Sequence, residues 1–451
     1  MRDTMELPPG LPPVGLDAAS RRALSGWLLL AVGSLAVAGA LALLLALSRT
    51  PVVQDWLPWR WETFFRKALV AHVIFAFVVW YMAVLGGLAA ATRPGGVASL
   101  IGLTLSTAGA VLLLVPTLTN QGQASLNNYL PVLVHPLFYG GLALLALGVA
   151  LPVLYLLLRP PVWGGSLAMG VGSAGVLYLL ALLCFGLAWF GLPKDAPLDT
   201  YNEEIFWGGG HILQFVHSAL MLTAWQVLGE QAFGQSPLPA RAWRFVCLLL
   251  VVAGLPGPLL YAVYKVTGDD LRRAFTQLYW IGLPLPLLIG SAAALRSILR
   301  GPRDWRSPAF LGLALSVALC TLGGVLGMFA TGGDVRTPAH YHAAIGAVNL
   351  AFMGLFFVVL LPVVLRAGET SPLVRLQFWL YGGGQTLFSL GMFIAGSAGV
   401  ARKVAGEAQG LDSTVKIVGM ALTGIGATVA VTGGMLFVWL ALSRLVARGM
   451  R

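Results

Sequence analysis

The sequence predicts an all-α, polytopic membrane protein of about twelve spans, and three observations predict it. Of the 451 residues, 58% are hydrophobic and only 10% are charged, where a soluble chain carries about a quarter charged residues. Runs of about 20 apolar residues, each long enough to cross a bilayer core, recur along the whole length. The basic residues behind the net charge of +11 fall mostly in short loops on one side, as the positive-inside rule expects. That placement makes the charge a matter of topology, with the lipid bilayer and not nucleic acid as the partner.

The spans are expected near 25–47, 68–91, 97–118, 129–157, 166–192, 205–229, 243–264, 275–298, 308–330, 339–366, 373–398 and 415–446. Loops after even-numbered spans are basic, among them "TRPGG", "PARAWR" and "RSILRGPRDWR". Loops after odd-numbered spans are acidic, mixed or neutral, among them "PKDAPLDTYNEE" and "VTGDDLRR", with the first loop (Arg49 to Lys67) and "GVARKVAGEAQGLDSTVK" as basic exceptions. This balance places both termini in the cytoplasm and the chain in a bacterial inner membrane. Residues 1–20 are polar and Pro-rich without an apolar core, so they read as tail and not as a signal peptide. The expected organisation is a tail over 1–24, one membrane domain over 25–447 and a short tail over 448–451. Cys184, Cys247 and Cys320 lie in apolar runs and read as packing residues. Trp56, Trp59, Trp61 and Trp207 fall where an interfacial aromatic belt is expected.

The chain has six histidines. His72, His135, His211, His340 and His342 each lie near the outer start of a span, and His217 lies deeper. Ionisable residues inside a membrane are functional candidates by default, and here several share one layer. In "AHYH", His340 and His342 stand two residues apart, about 200° around a helix. They point to opposite faces and cannot chelate one ion. Each can hold a different cofactor, and neutral imidazole is a common axial ligand of haem iron. His72, at matching depth, is the candidate second ligand for one haem. His211, in "FWGGGHILQF", is a candidate for the open face of the other. His135 and His217 read as structural.

Twelve spans, a histidine in the second, one in the sixth and His-Xaa-His at the outer end of the tenth together resemble the large subunit of the haem-copper oxidase and nitric oxide reductase superfamily. The resemblance implies that His72 and His342 hold a low-spin haem and that His340 holds a high-spin one. It also implies that the basic pair Arg402–Lys403, between the last two spans, binds haem propionates. Two haems, of b type, are the implied cofactors.

The sequence departs from that family at the metal beside the second haem. His211 matches one of three expected ligands, but the seventh span, "FVCLLLVVAGLPGPLLYAVYKVTGDD", has no histidine, and Leu260 and Tyr261 stand where the family has a His-His pair. Phe215 stands where oxidases have a tyrosine and nitric oxide reductases a glutamate, and the eighth span has no lysine. The copper or non-haem iron site is therefore expected to be degraded or absent, since these metals want several nitrogen donors. The expected function is a di-haem electron-transfer subunit of a respiratory chain. A cytochrome c-bearing or cupredoxin-like partner subunit, or a quinol, would donate electrons, because the chain has no Cys-x-x-Cys-His haem attachment site. One alternative is an active terminal reductase of O2 or NO, with His211, Gln214 and Tyr261 lining the open haem. A second is a transporter, which twelve helices with Gly and Pro breaks also suit; the shared histidine layer and scarcity of buried charge argue against it.

Overall fold

A computed structural model describes residues 16–53, 61–159, 165–330, 332–365 and 371–449, with backbone only at 61–64 and 447–449. Most of the N-terminal tail, Trp56, Trp59, and parts of the loops after the fourth and tenth spans lie outside the described residues. Among the described residues, eleven helices are long and apolar enough to cross a membrane: α1 Ala18–Leu47, α2 Phe65–Thr92, α3 Gly96–Leu118, α4 Pro136–Leu158, α5 Ser166–Gly191, α6 Leu198–Phe233, α7 Ala240–Val263, α8 Asp269–Arg300, α9 Pro308–Gly327, α10 Arg336–Leu365 and α12 Thr414–Val446. The expected eleventh span is α11, Pro372–Ser397. It is long enough to cross, but its composition is more polar, with Arg375, Gln377 and Gln385 among its residues.

The helix starts follow local chemistry. Asp17 caps α1 by accepting from the Ser20 amide at 2.6 Å, and Ser307 and Ser371 cap α9 and α11 in the same way. The fourth span begins at Pro136 and not at 129 as expected. Residues before it pair as a two-stranded hairpin, β1 Gln123–Ser125 with β2 Val132–Val134, and His135 then caps the helix with Pro136 at its first position. π-helical turns interrupt α2 at Ile74–Val79 and α10 at Phe356–Leu360. Pro362, which cannot donate to the backbone ladder, follows the second of these.

The three helices that carry the paired and matching histidines form the interior. Of their apolar stretches, 72% is buried in α2, 94% in α6 and 83% in α10, whereas only 28% is buried in α7 and 22% in α8. Small residues let neighbouring helices approach, since lipid supplies no hydrophobic drive between them. Between α3 and α4, a Cβ added at Gly102 would sit 2.5 Å from the Gly148 carbonyl, and one at Gly109 would sit 2.6 Å from that of Gly141. Gly148→Leu should therefore force these helices apart and cost about 1–3 kcal/mol by overpacking. Thermal unfolding in detergent checks this, with a lowered Tm as the expected result.

Candidate functional site

At one end of the bundle, α1, α2, α10, α11 and α12 enclose a cavity of about 880 Å³, its open mouth included. His72 and His342 both line it. His72 comes from the first turns of α2, and its Nδ1 lies 3.0 Å from the Ala38 carbonyl of α1. A carbonyl can only accept, so Nδ1 carries the proton and Nε2 keeps its lone pair. His342 projects from α10, with its ring edge-on to Phe388 of α11 at 4.6 Å between centroids. A second space of about 480 Å³ continues along α11 from His72 past Gln385 to Tyr381 and Asn349.

Three cations line the cavity: Arg402, Lys403 and Arg49. The loop that carries the first two is pinned beside the start of α10 by the Val335 amide bonding the Val400 carbonyl at 3.0 Å. Lys403 adopts left-handed backbone at φ 62°, which costs a non-glycine residue about 1–2 kcal/mol. Its Nζ donates to the Leu126 carbonyl at 2.5 Å, and Arg402 Nη2 donates to Asn128 Oδ1 at 2.6 Å. Arg49 lies just past the end of α1, and its Nε and Nη2 are buried without a partner. Burial pushes the Arg49 guanidinium down to about 10. Burial first, and the neighbouring Arg402 charge second, push the Lys403 amine down to about 8. Both remain mostly protonated at neutral pH. A buried, unpartnered guanidinium is costly, so this end of the cavity is built for an anionic or strongly accepting group.

His340, two residues from His342, faces the other way. Its Nδ1 lies 2.7 Å from the Gly323 carbonyl of α9, which again fixes the proton on Nδ1 and leaves Nε2 free. A Cβ at Gly327 would stand 2.6 Å from that same Nδ1. The absence of a side chain at Gly327 lets the imidazole seat against α9, and Gly323 lets the α10 backbone approach at Ala344.

His211 stands in a third environment. Its Nδ1 bonds the Trp207 carbonyl at 2.9 Å, so its Nε2 accepts from the Tyr129 hydroxyl at 2.8 Å. The rings of Tyr129, Trp207 and Phe275 surround it at 4.6, 5.1 and 5.7 Å. Tyr261 packs on Phe275 at 5.5 Å, and its hydroxyl is buried without a partner, as is Oε1 of Gln214. Among the described residues, no three His, Cys, Asp or Glu side chains come together as a metal site. His217 lies deeper, edge-on to Phe77 and Tyr81 at 4.7 and 4.6 Å, with Nε2 unpartnered.

Sequence reasoning missed Arg49 and the hairpin residues Asn128 and Tyr129. Asn128 also bonds Glu203 Oε1 at 2.6 Å, so one loop reaches the cation pair, α6 and His211. Glu204, the next residue on α6, is paired with Arg272 of α8.

Lys403 binds its proton less readily folded than unfolded, where the ordinary value is 10.5. The unfolded chain therefore carries more protons between about pH 8 and 10.5, and this residue's contribution to stability rises with pH across that window. Comparing thermal unfolding of the wild type and Lys403→Met across that range checks the sign: the wild-type Tm should gain on the variant as the pH rises.

The comparisons with known proteins agree with this architecture. A protein of Aquifex aeolicus (strain VF5), named only as an uncharacterized protein, is 32% identical over 343 residues, covering 74% of this chain and 83% of that one. The uncharacterized protein RP382 of Rickettsia prowazekii (strain Madrid E) is 22% identical over 498 residues, covering 92% and 94% of the two chains. Among solved structures, a heme-copper terminal oxidase dimer shares the fold at a TM-score of 0.73 and 16% identity, covering 95% of this chain and 84% of that one. Residues 22–429 match the family described as Cytochrome C and Quinol oxidase polypeptide I, and the chain belongs to that family as a divergent haem-copper oxidase subunit I-like protein.

Proposed function

We propose that this chain is a di-haem electron-transfer subunit within the respiratory oxidoreductase class to which its family belongs. The observation that carries the reading is the single cavity that joins His72 and His342 and ends at three cations. The residues present fit a haem. Two imidazoles line one space, the Ala38 carbonyl holds His72 with its free lone pair on Nε2, and Arg49 has unpartnered donors for a carboxylate. A haem held by two imidazoles supplies reversible one-electron storage at an iron with no open position. The chain's own part is to orient both rings, to offset the propionate charge with Arg402, Lys403 and Arg49, and to exclude water with the aromatic and aliphatic lining. We assign His340, through Nε2, to a second haem on the opposite side of α10, with both haems of b type.

The donors around His211 do not fit copper or non-haem iron. One imidazole is present, and both of its nitrogens are engaged. We therefore read the distal metal site as lost. The loop charges support placing the cavity end outside and both termini in the cytoplasm of a bacterium. A cytochrome c-bearing or cupredoxin-like subunit, or a quinol, is the donor on this reading.

Metal and haem analysis of purified protein, with reduced and reduced-plus-CO spectra, tests it. Two haems per chain, no stoichiometric copper or non-haem iron, and a CO shift confined to the haem on His340 are expected. Turnover of O2 or NO by the purified protein would instead indicate a terminal reductase, with His211, Gln214 and Tyr261 as the residues lining the open haem. Absence of haem would bring the transporter forward. His72→Ala and His342→Ala should each abolish the low-spin spectrum, and its survival in both would overturn the ligand assignment. Tyr129→Phe should leave His211 Nε2 without a donor and lower stability by about 1–3 kcal/mol, read by thermal unfolding.

A further inference from the structure

The opposite end of the bundle carries a second concentration of cations that the haem reading does not use. Arg93 follows the end of α2, and Arg159 follows the end of α4. Their guanidinium carbons lie 5.8 and 5.9 Å from the centre of one ring, that of Tyr155. Gly95 makes this possible, because a Cβ there would collide with the Tyr155 ring. A Cβ at Gly96 would stand 3.3 Å from that of Ala19, so the start of α1, with Arg21 and Arg22, runs alongside.

Among the described residues, these cations have no anionic partner. Nε of Arg93 and Nε of Arg21 are buried with no hydrogen-bond partner. Arg21 Nη2 and Arg22 Nε reach only the backbone carbonyls of Leu16 and Ala18, at 3.1 and 3.3 Å. Asp17, the carboxylate just before α1, is engaged in capping the helix through Ser20. Two guanidinium groups over one ring repel each other, and nothing described at this corner offsets them. α3, which begins just after Arg93, and α4, which ends just before Arg159, then present large apolar side chains outward. Val97 and Ile101 on α3 are 74% and 50% exposed, and Leu154 and Leu158 on α4 are 39% and 78% exposed.

We propose that this corner binds an anionic phospholipid. Its phosphate lies between Arg93 and Arg159, and its acyl chains lie along Val97, Ile101, Leu154 and Leu158. Guanidinium forks suit phosphate oxygens, and the ring of Tyr155 holds both forks in place by cation–π contact. Basic pockets between membrane helices on the cytoplasmic side are a known lipid-headgroup chemistry. The apolar flank separates a lipid from a free anion, since inorganic phosphate would gain nothing from it. The site does not depend on the haem assignment.

The test is native mass spectrometry of the full chain released from nanodiscs of phosphatidylcholine with a minor fraction of phosphatidylglycerol. The wild type should retain phosphatidylglycerol in preference to phosphatidylcholine. Arg93→Gln/Arg159→Gln should retain it roughly thirtyfold less, as loss of two cations implies. Arg300→Gln/Arg303→Gln, at the end of α8 on the same face, should leave retention unchanged. If the double variant does not fold, Arg159→Gln alone keeps the test, because that residue is exposed. Equal retention of the two lipids, equal loss in the control pair, or stripping of the lipid by millimolar inorganic phosphate would each overturn the proposal.

Discussion

In a bilayer core a helix has to satisfy its own backbone, because there is no water to bond an opened turn. The start of α10 obeys this rule, and the rest of the site follows from it. A regular helix cannot bring His340 and His342 to one point, so they divide their surroundings. His342 looks into the cavity among α1, α2, α11 and α12, and His340 looks toward α9. Every other feature serves one side or the other: the Ala38 carbonyl that turns His72, the Gly323 and Gly327 surface that receives His340, and the cations at the cavity's end.

The loop between β1 and β2 connects these separate settings. Leu126 and Asn128 hold Lys403 and Arg402, Asn128 also holds Glu203, and Tyr129 donates to His211. Consecutive residues of one loop therefore touch both the cationic end of the cavity and the imidazole of α6. A shift of this loop would alter the charge over one setting and the hydrogen bonding of the other together. The aromatic rings around His211 resist such a shift, because they fill the space into which Tyr129 would move.

Most of the span pattern was legible in the sequence, because hydropathy and loop charge report directly on the bilayer. The misjudged ends have particular causes. Residues 129–134 were read into the fourth span because "VLV" is apolar, yet it forms the strand Val132–Val134. α6 starts as early as Leu198, where Asp199, Glu203 and Glu204 argued for a loop; pairing of Glu204 with Arg272 is what lets a carboxylate be buried there. The spacing in "AHYH" gave the division of faces from helix geometry alone. Arg49 was hidden among the basic residues of the first loop, and only its position two residues beyond α1, lining the same cavity as His72, sets it apart. Tyr129 carries no local signal, since its role depends on a contact made across 82 residues of chain.

Arg49 also bears on how such a protein is assembled. A guanidinium with two buried, unpartnered nitrogens is a charge that the polypeptide alone does not neutralise. A ligand that binds only the folded form adds its binding free energy to folding. On the haem reading, an anionic group bound beside Arg49 would therefore stabilise the packing of α1 against α10 through α12. Haem-loaded protein should then resist proteolysis better than haem-depleted protein, because bound ligand draws the chain toward its folded form.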